Sequence, residues 1–146
     1  MIVKQILAMK AGPDSLITVT PEARVADAAQ LLSEKRIGAV VVSTDGQTLD
    51  GILSERDIVR ELGRNGPEIL ERPVSELMTR RVNTCVCAED ALEVLNRMTQ
   101  GRFRHLPVVD DDGRMLGVVS IGDVVFARLK ELAAEKEALT GMIMGN

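Results

Sequence analysis

The stretch Gly51–Asp57 reads GILSERD, and Gly117–Asp123, which lies 66 residues further along the chain, reads GVVSIGD. Each stretch consists of a glycine, two aliphatic residues, a serine, two variable positions and an aspartate. The same shift aligns Arg36 with Arg102. A repeat of this length indicates two copies of one supersecondary unit. The sequence therefore predicts a paired architecture, and the clefts between the copies are the expected place for a function.

Each copy is predicted to run strand, helix, strand, strand, helix, because of the spacing of its apolar residues. The elements predicted for the first copy are a strand at Ile17–Val19, a helix from Val25 to Leu32, strands at Ala39–Val42 and Leu49–Leu53, and a helix after Ser54. Those predicted for the second copy are a strand at Thr84–Val86, a helix from Ala91 to Met98, strands at His105–Val109 and Met115–Val119, and a helix after Ser120 that runs to about Leu139. Short helices are predicted before the copies, at Val3–Ala8 and Val74–Met78.

Neither copy is large enough to cover both faces of its own sheet. We therefore expect an α/β fold of the α+β type, in which two tandem β-α-β-β-α repeats pack sheet to sheet with pseudo-two-fold symmetry and leave two related grooves. The expected divisions are residues 1–64 for the first repeat with its N-terminal helix, 65–73 for a linker, 74–128 for the second repeat, and 129–146 for a C-terminal helix and tail.

The composition is that of a soluble globular protein, since 45% of the 146 residues are hydrophobic and 27% are charged. The net charge of −4 argues against a non-specific nucleic-acid binder. With two Phe and no Tyr or Trp, the chain offers no aromatic surface on which single strands could stack. No apolar run approaches the roughly 20 residues of a membrane helix, and the N-terminus lacks a signal-peptide pattern. We therefore expect a cytoplasmic protein without a nucleic-acid or membrane partner.

The serine and the aspartate of each repeated stretch stand at the start of a predicted helix, as Ser54 with Asp57 and Ser120 with Asp123. One interpretation is structural: a serine N-cap accepts a backbone N–H, and an acidic residue three positions later completes a variant of the capping box. The other is functional, because a hydroxyl and a carboxylate at a strand end can bind the two vicinal hydroxyls of a ribose. The doubling favours the functional interpretation, but the sequence leaves both open.

Together with the motif RHLPVVD at Arg104–Asp110, the two repeated stretches make the chain resemble a tandem pair of cystathionine β-synthase (CBS) domains, also called a Bateman module. The resemblance covers roughly Val3 to Phe126. It implies a binding module for adenosine-containing ligands such as AMP, ADP, ATP, S-adenosylmethionine or NAD. It also implies a tendency to dimerise.

By position, the resemblance implies that Asp57 and Asp123 hold ribose hydroxyls. The other candidate ligand-binding residues are Ser54 and Ser120 beside them, Thr18 and Thr84 near the base, Arg56, and on the opposite wall Ile37, Gly38, Ala39, Phe103, Arg104, His105 and Pro107. The basic residues among them are not repeated, since the counterparts of Arg104 and Arg56 are glycines. Basic groups suit phosphate, and arginine does so with a two-pronged donor. The two clefts are therefore expected to be unequal.

Nothing in the sequence indicates catalysis. His105 is the only histidine, and the chain shows no nucleophile–base pair, glycine-rich phosphate loop or metal-ligand cluster. Cys85 and Cys87 are interpreted as packing residues, and Asp110–Gly113 as a hairpin turn, because it lacks the later ligands of a calcium loop. We therefore expect no enzyme activity, no metal and no catalytic cofactor.

The sequence thus predicts a stand-alone regulatory module that binds AMP, ADP or ATP, with NAD(H) as a further option, in the clefts between the repeats. Signalling would proceed by population shift to a separate effector protein. The last predicted helix carries an apolar face that suits a homodimer partner, formed by Leu129, Leu132, Ala133 and Leu139. The alternative is an assembly module that dimerises and binds partner proteins without a nucleotide, with the Ser-x-x-Asp pairs as helix caps only.

Overall fold

The computed structural model describes residues 1–10 and 16–143. The first half of the chain forms α1 (Val3–Met9), β1 (Thr18–Val19), α2 (Val25–Lys35), β2 (Ala39–Val42), β3 (Gly51–Ser54) and α3 (Glu55–Asn65). A 3₁₀ helix (Pro67–Glu71) leads to α4 (Val74–Leu77), α5 (Ala91–Gly101), β4 (His105–Val109), β5 (Met115–Ser120) and α6 (Ile121–Ile143). The predicted α+β class is confirmed. Residues 11–15 of the predicted first repeat and 144–146 of the predicted tail lie outside the described residues.

Each copy contributes one small sheet. In the first sheet β2 is central, because it pairs with β1 in parallel and with β3 antiparallel. In the second sheet β4 pairs antiparallel with β5. All four residues of β2 are buried, as expected for a strand with both faces covered.

Two predicted strands are shorter in the structure. The strand predicted at Thr84–Val86 is reduced to one parallel bridge between Cys85 and Val108. The backbone N–H of Val86 donates to a carboxylate oxygen of Glu89 instead of to a strand, so the chain turns away. The strand predicted at Leu49–Leu53 begins at Gly51, because the carboxylate of Asp50 accepts two hydrogen bonds from Thr44 and closes the preceding turn.

The short helix that precedes each copy in sequence packs on the other copy. Helix α1 joins the second copy, where the backbone N–H of Val3 donates to the carbonyl of Glu89 at 3.0 Å. Helix α4 joins the first copy, where the N–H of Val74 donates to the carbonyl of Ala23 at 2.7 Å. Each copy's buried apolar cluster accordingly contains the helix that comes from the other half of the chain.

The two copies meet through the sheet faces that their own helices leave uncovered. Side chains alternate between the faces of a strand, so Val40 and Val42 enter the first core while Val41 faces the other way and is still fully buried. The two copies are also joined by a backbone hydrogen bond at one edge, where the N–H of Met115 donates to the carbonyl of Gln47 at 3.0 Å. The grooves at the two ends of this contact are therefore built by residues of both copies.

The position of α1 makes a prediction about stability. Ile6 is 1% exposed within the second core, and its replacement by alanine leaves a cavity there. We expect Ile6→Ala to lower the free energy of unfolding by about 2–5 kcal/mol, as measured by urea denaturation followed by circular dichroism. The matched control is Lys4→Ala on the exposed side of the same helix, which should change it by less than about 0.5 kcal/mol. An equally small effect of both changes would contradict this packing of α1.

Candidate ligand-binding clefts

The Ser54–Asp57 pair forms the capping box that the sequence predicts. The hydroxyl of Ser54 accepts the backbone N–H of Asp57 at 3.3 Å. In return, Oδ2 of Asp57 accepts the backbone N–H of Ser54 at 2.9 Å and its hydroxyl at 3.0 Å. The aspartate is 7% exposed, so its carboxylate is held in one orientation at the N-terminus of α3.

The Ser120–Asp123 pair repeats this arrangement at the N-terminus of α6. The hydroxyl of Ser120 accepts the N–H of Asp123 at 3.1 Å, and Oδ2 of Asp123 accepts the N–H of Ser120 at 2.8 Å. Both pairs therefore cap a helix, and both also line a cavity. Capping and ligand binding are compatible roles, because a carboxylate has two oxygens and accepts several hydrogen bonds.

The first cleft, which contains Asp57, has a volume of about 290 Å³. The first copy supplies one wall and the second copy the other. The lining residues are Gly38, Ala39, Ile52, Ser54, Glu55, Arg56, Asp57, Arg60, Thr79, Arg81, Val82, Asn83, Arg102, Phe103, Arg104 and His105. Its size is close to the lower end of the range for small-molecule sites, about 300–1,000 Å³.

The second cleft, which contains Asp123, has a volume of about 280 Å³. It is lined by Lys10, Ile17, Arg36, Ile37, Gly38, Ala39, His105, Val118, Ser120 and Asp123. Here the walls are exchanged, since the aspartate comes from the second copy and Ile37 from the first. This crossing follows from the pseudo-two-fold relation of the copies.

The two clefts differ in charge, as the sequence predicts. The first cleft is lined by five arginines against two carboxylates. The second has two basic side chains and one carboxylate, in addition to His105. Two of the arginines, Arg36 in the second cleft and Arg102 in the first, have positive φ angles of 55° and 58°. Each is the left-handed C-cap residue that ends a helix, Arg36 after α2 and Arg102 after α5.

A basic side chain binds the aspartate of each cleft, but the two basic residues come from different elements of the fold. In the first cleft Nη2 of Arg60, one turn along α3, donates to Oδ1 of Asp57 at 3.0 Å. In the second cleft Nζ of Lys10, at the end of α1, donates to Oδ2 of Asp123 at 2.7 Å and to the carbonyl of Val118 at 2.6 Å.

His105 and Gly38 form a thin partition, because both line both clefts. A Cβ atom on Gly38 would lie 2.9 Å from Cε1 of the imidazole, so glycine permits this close approach. Burial lowers the pKa of His105 below its usual 6.5, while the carboxylates of Glu55 and Asp123 act in the opposite direction. The imidazole in this partition is therefore neutral at neutral pH.

Most of the predicted site residues line a cleft. Asp57, Ser54, Arg56, Phe103 and Arg104 line the first; Asp123, Ser120 and Ile37 line the second; Gly38, Ala39 and His105 line both.

Thr18, Thr84 and Pro107 line neither cleft. Thr18 pairs with Val41 inside the first sheet, and Pro107 is buried in β4. The residues one position before the threonines, Ile17 and Asn83, take the cleft positions, because successive residues of an extended segment point to opposite sides.

Sequence reasoning also missed several basic lining residues. Lys10 and Arg81 stand seven positions after Val3 and Val74, the first residues of α1 and α4. This correspondence could have revealed them, but the repeat of 66 residues hides it, since copy one has five more residues than copy two before its first strand. Arg36 and Arg102 do follow the 66-residue repeat, and their alignment could have identified them as cleft residues.

Among residues 1–10 and 16–143, no group of three or more His, Cys, Asp or Glu side chains could hold a metal ion. No helix in the same ranges is long and apolar enough to cross a membrane. Cys85 is buried, and burial raises the pKa of its thiol to about 12.

The CBS-domain family model matches residues 3–64 and 74–130. These ranges include the elements that form both clefts. The chain belongs to the CBS-domain family. It carries two CBS domains in tandem, as in a Bateman module. A CBS-domain protein of Agrobacterium tumefaciens superimposes with a TM-score of 0.82 at 39% identity, covering 88% of this chain and 99% of that one.

Two further CBS structures contain adenosine compounds. Protein CBSX2 was solved with AMP; it is 29% identical, with a TM-score of 0.74, over 88% of this chain and 96% of that one. The CBS domain pair of protein MJ0100 was solved with 5′-methylthioadenosine and S-adenosyl-L-methionine; it is 27% identical, with a TM-score of 0.77, over 90% of this chain and 98% of that one.

Curated plant relatives are longer than this chain. A mitochondrial CBS-domain protein of Arabidopsis thaliana is 35% identical over 140 residues, and the chain covers 68% of its length. Another Arabidopsis relative, 28% identical, is covered over 24% of its length. The predicted cytoplasmic location therefore stays a prediction.

The lowered pKa of His105 predicts a dependence of stability on pH. Below pH 6.5 the unfolded state binds a proton that the folded state binds less readily, so the contribution of His105 to stability is present above that pH and lost as the pH falls below it. We expect the stability difference between wild type and His105→Gln to shrink from about pH 7.5 to about pH 5.5, as measured by urea denaturation. The single histidine also gives one imidazole signal by NMR, and a titration midpoint at or above 6.5 would contradict the prediction.

Proposed function

We propose that the chain is a regulatory module that binds an adenosine nucleotide in the first cleft. The observation that carries the proposal is the arrangement of Asp57 at the N-terminus of α3 inside a cavity lined by five arginines. The nucleotides in question are AMP, ADP and ATP, with NAD(H) as a further candidate. The proposal includes no catalytic step.

Asp57 would bind the ribose. Its Oδ2 is held by Ser54, whereas its Oδ1 is occupied by Arg60, whose side chain is 46% exposed. Because the guanidinium is half-exposed, it can move into solvent, and a ribose hydroxyl could replace it at Oδ1. The released Arg60 would remain at the cavity and could contact the phosphate.

The charge of the first cleft favours a phosphorylated ligand. The arginines are Arg56, Arg60, Arg81, Arg102 and Arg104, and the carboxylates are Glu55 and Asp57. The N-terminus of α3 adds partial positive charge at the same place. This excess favours AMP, ADP or ATP over 5′-methylthioadenosine, which is neutral, and over S-adenosylmethionine, whose sulfonium is cationic. The AMP complex of the relative CBSX2 is consistent with that choice.

The apolar part of the first cleft would take the adenine. Ile52, Val82 and Phe103 line it and are all partly exposed, so apolar surface is available to a flat base. Thr84, which the sequence predicts near the base, lies outside the lining, and Asn83 takes its place with an amide that can donate and accept hydrogen bonds.

Regulation would follow from the shared walls. A nucleotide in the first cleft contacts both copies, so it favours the relative arrangement of the copies that it fits best. A separate effector protein would recognise that arrangement. The existence of this effector and the cytoplasmic location are both part of the proposal.

The test of the site compares two aspartates that both stand at a helix N-terminus. Asp57→Ala should weaken AMP binding by about ten- to a hundredfold, the range expected for the loss of hydrogen bonds to a charged group. The matched control is Asp90→Ala: Asp90 caps α5 through the N–H groups of Leu92 and Glu93 and lines neither cleft. It should cost about 1 kcal/mol of stability and leave binding unchanged.

The measurement is isothermal titration calorimetry with AMP, and with adenosine in parallel. AMP should bind more tightly than adenosine, because only AMP carries charge for the arginines. Unchanged AMP binding in Asp57→Ala would contradict the site, and equal affinity for AMP and adenosine would contradict the role of the arginines.

A second candidate function, assembly through homodimers, is favoured by the exposed face of α6. Five apolar residues on this helix recur at alternating spacings of four and three, with Lys136 at the intervening position: Val125, Leu129, Leu132, Leu139 and Ile143. Leu129 is 61% exposed and Ile143 is 76% exposed. Such a heptad pattern is typical of helices that pair with another helix.

The homodimer proposal is tested at the centre of this face. Wild type should sediment as a dimer in analytical ultracentrifugation, and Leu129→Glu should sediment as a monomer, because it places a charge in the apolar contact. Ala134→Glu is the matched control, since Ala134 is exposed on the opposite side of α6 and should leave the dimer intact. A monomeric wild type, or a dimeric Leu129→Glu, would contradict pairing through α6.

A further inference from the structure

In the second cleft a lysine of the chain itself is bound to Asp123, the counterpart of Asp57. The ammonium group of Lys10 makes a hydrogen bond and ion pair with Oδ2 of Asp123 and a second hydrogen bond with the carbonyl of Val118. The lysine side chain is 33% exposed. The carboxylate of Asp123 and the carbonyl of Val118 are therefore already hydrogen-bonded within the protein.

This contact is different in kind from the Arg60–Asp57 pair of the first cleft. Arg60 lies on the same helix as its aspartate and uses the oxygen that Ser54 leaves free. Lys10 comes from α1, which packs on the second copy from the far end of the sequence, and uses the oxygen of Asp123 that Ser120 already holds. It also makes its additional bond to a backbone carbonyl, so two interactions must break before it can leave.

The residue that corresponds to Lys10 in the first cleft has no such role. Arg81 stands seven positions after the start of α4, as Lys10 does after the start of α1, and it lines the first cleft with its side chain exposed. Within the described part of the chain, Asp57 makes its hydrogen bonds and ion pair with Ser54 and Arg60 and not with Arg81. The two clefts therefore differ in these two cations, because Arg81 is exposed and Lys10 is bound to Asp123.

We propose that Lys10 is an internal latch that holds Asp123 and thereby lowers the affinity of the second cleft for nucleotides. The inference rests on the proposed function, since it concerns the same class of ligand. A ligand would bind only in the fraction of molecules whose Lys10 has left Asp123, and its apparent affinity would be lowered by that fraction. At nucleotide concentrations that fill the first cleft, the second cleft would stay empty.

The experiment removes the latch and counts bound AMP by isothermal titration calorimetry. Wild type should bind one AMP per chain, and Lys10→Met should bind two, with the second site tightened by about ten- to a hundredfold, the range expected from charge-assisted hydrogen bonds. Lys4→Met is the matched control: it removes the same charge from the exposed side of α1 and should still bind one. Lys10→Gln, which keeps a donor for the Val118 carbonyl, is a milder variant if Lys10→Met does not fold.

A rescue experiment isolates the second cleft. Asp57→Ala should bind AMP weakly or not at all, and the double variant Asp57→Ala with Lys10→Met should regain one tight site. Circular dichroism melting curves establish that each variant is folded before it is titrated.

Three results would overturn the latch and leave the proposed function standing: two tight sites in wild type, one site in both wild type and Lys10→Met, or weaker second-cleft binding in Lys10→Met. The last of these would mean that Lys10 binds the phosphate instead. No AMP binding in wild type or in any variant would overturn the proposed function, and the latch with it.

Discussion

The structure depends on the contact between two sheet faces that neither copy can cover alone. Val41 lies on the face of β2 that its own helices leave open and is nevertheless fully buried. Burial of apolar surface is the main favourable term in folding, and copies of this size have few other ways to gain it. The exchange of α1 and α4 strengthens the contact, because each core is completed by a helix from the other half of the chain.

The clefts are a by-product of this contact. At both of its ends, a strand of one copy runs into a helix N-terminus while the other copy supplies the opposite wall. The N-terminus needs a cap, and an aspartate that caps it also presents a carboxylate to the cavity. The capping and functional interpretations of the Ser-x-x-Asp pairs, which compete in the sequence, are thus physically compatible. The family and fold follow from the comparisons, whereas the ligand and the effector remain proposals.

Pseudo-symmetry makes the differences between the clefts informative. Each cleft has an aspartate in the same Ser-x-x-Asp cap, so the differences in the side chains around it indicate differences in binding chemistry. The first cleft collects arginines and leaves Arg81 exposed. The second places Lys10 on Asp123. His105, Gly38 and Ala39 line both clefts and lie between them. A regulatory module with one open and one latched cleft would respond to nucleotide over two concentration ranges.

Much of this protein is encoded locally and could be read from the sequence. The 66-residue repeat, the periodicity of α2 and α5, and the Ser–Asp caps predicted most elements and the two cleft aspartates, because helix periodicity and capping depend on residues a few positions apart. Local reasoning failed where a hydrogen bond to a residue outside the predicted strand ended that strand, as it does at Val86. It also predicted Thr18 for the cleft, where the structure places its neighbour Ile17.

The tertiary structure alone decided which helix packs on which copy, which wall faces which aspartate, and that Lys10 reaches Asp123 across more than one hundred positions of sequence. These contacts join residues that no periodicity relates, so only the packing of the complete chain brings them together.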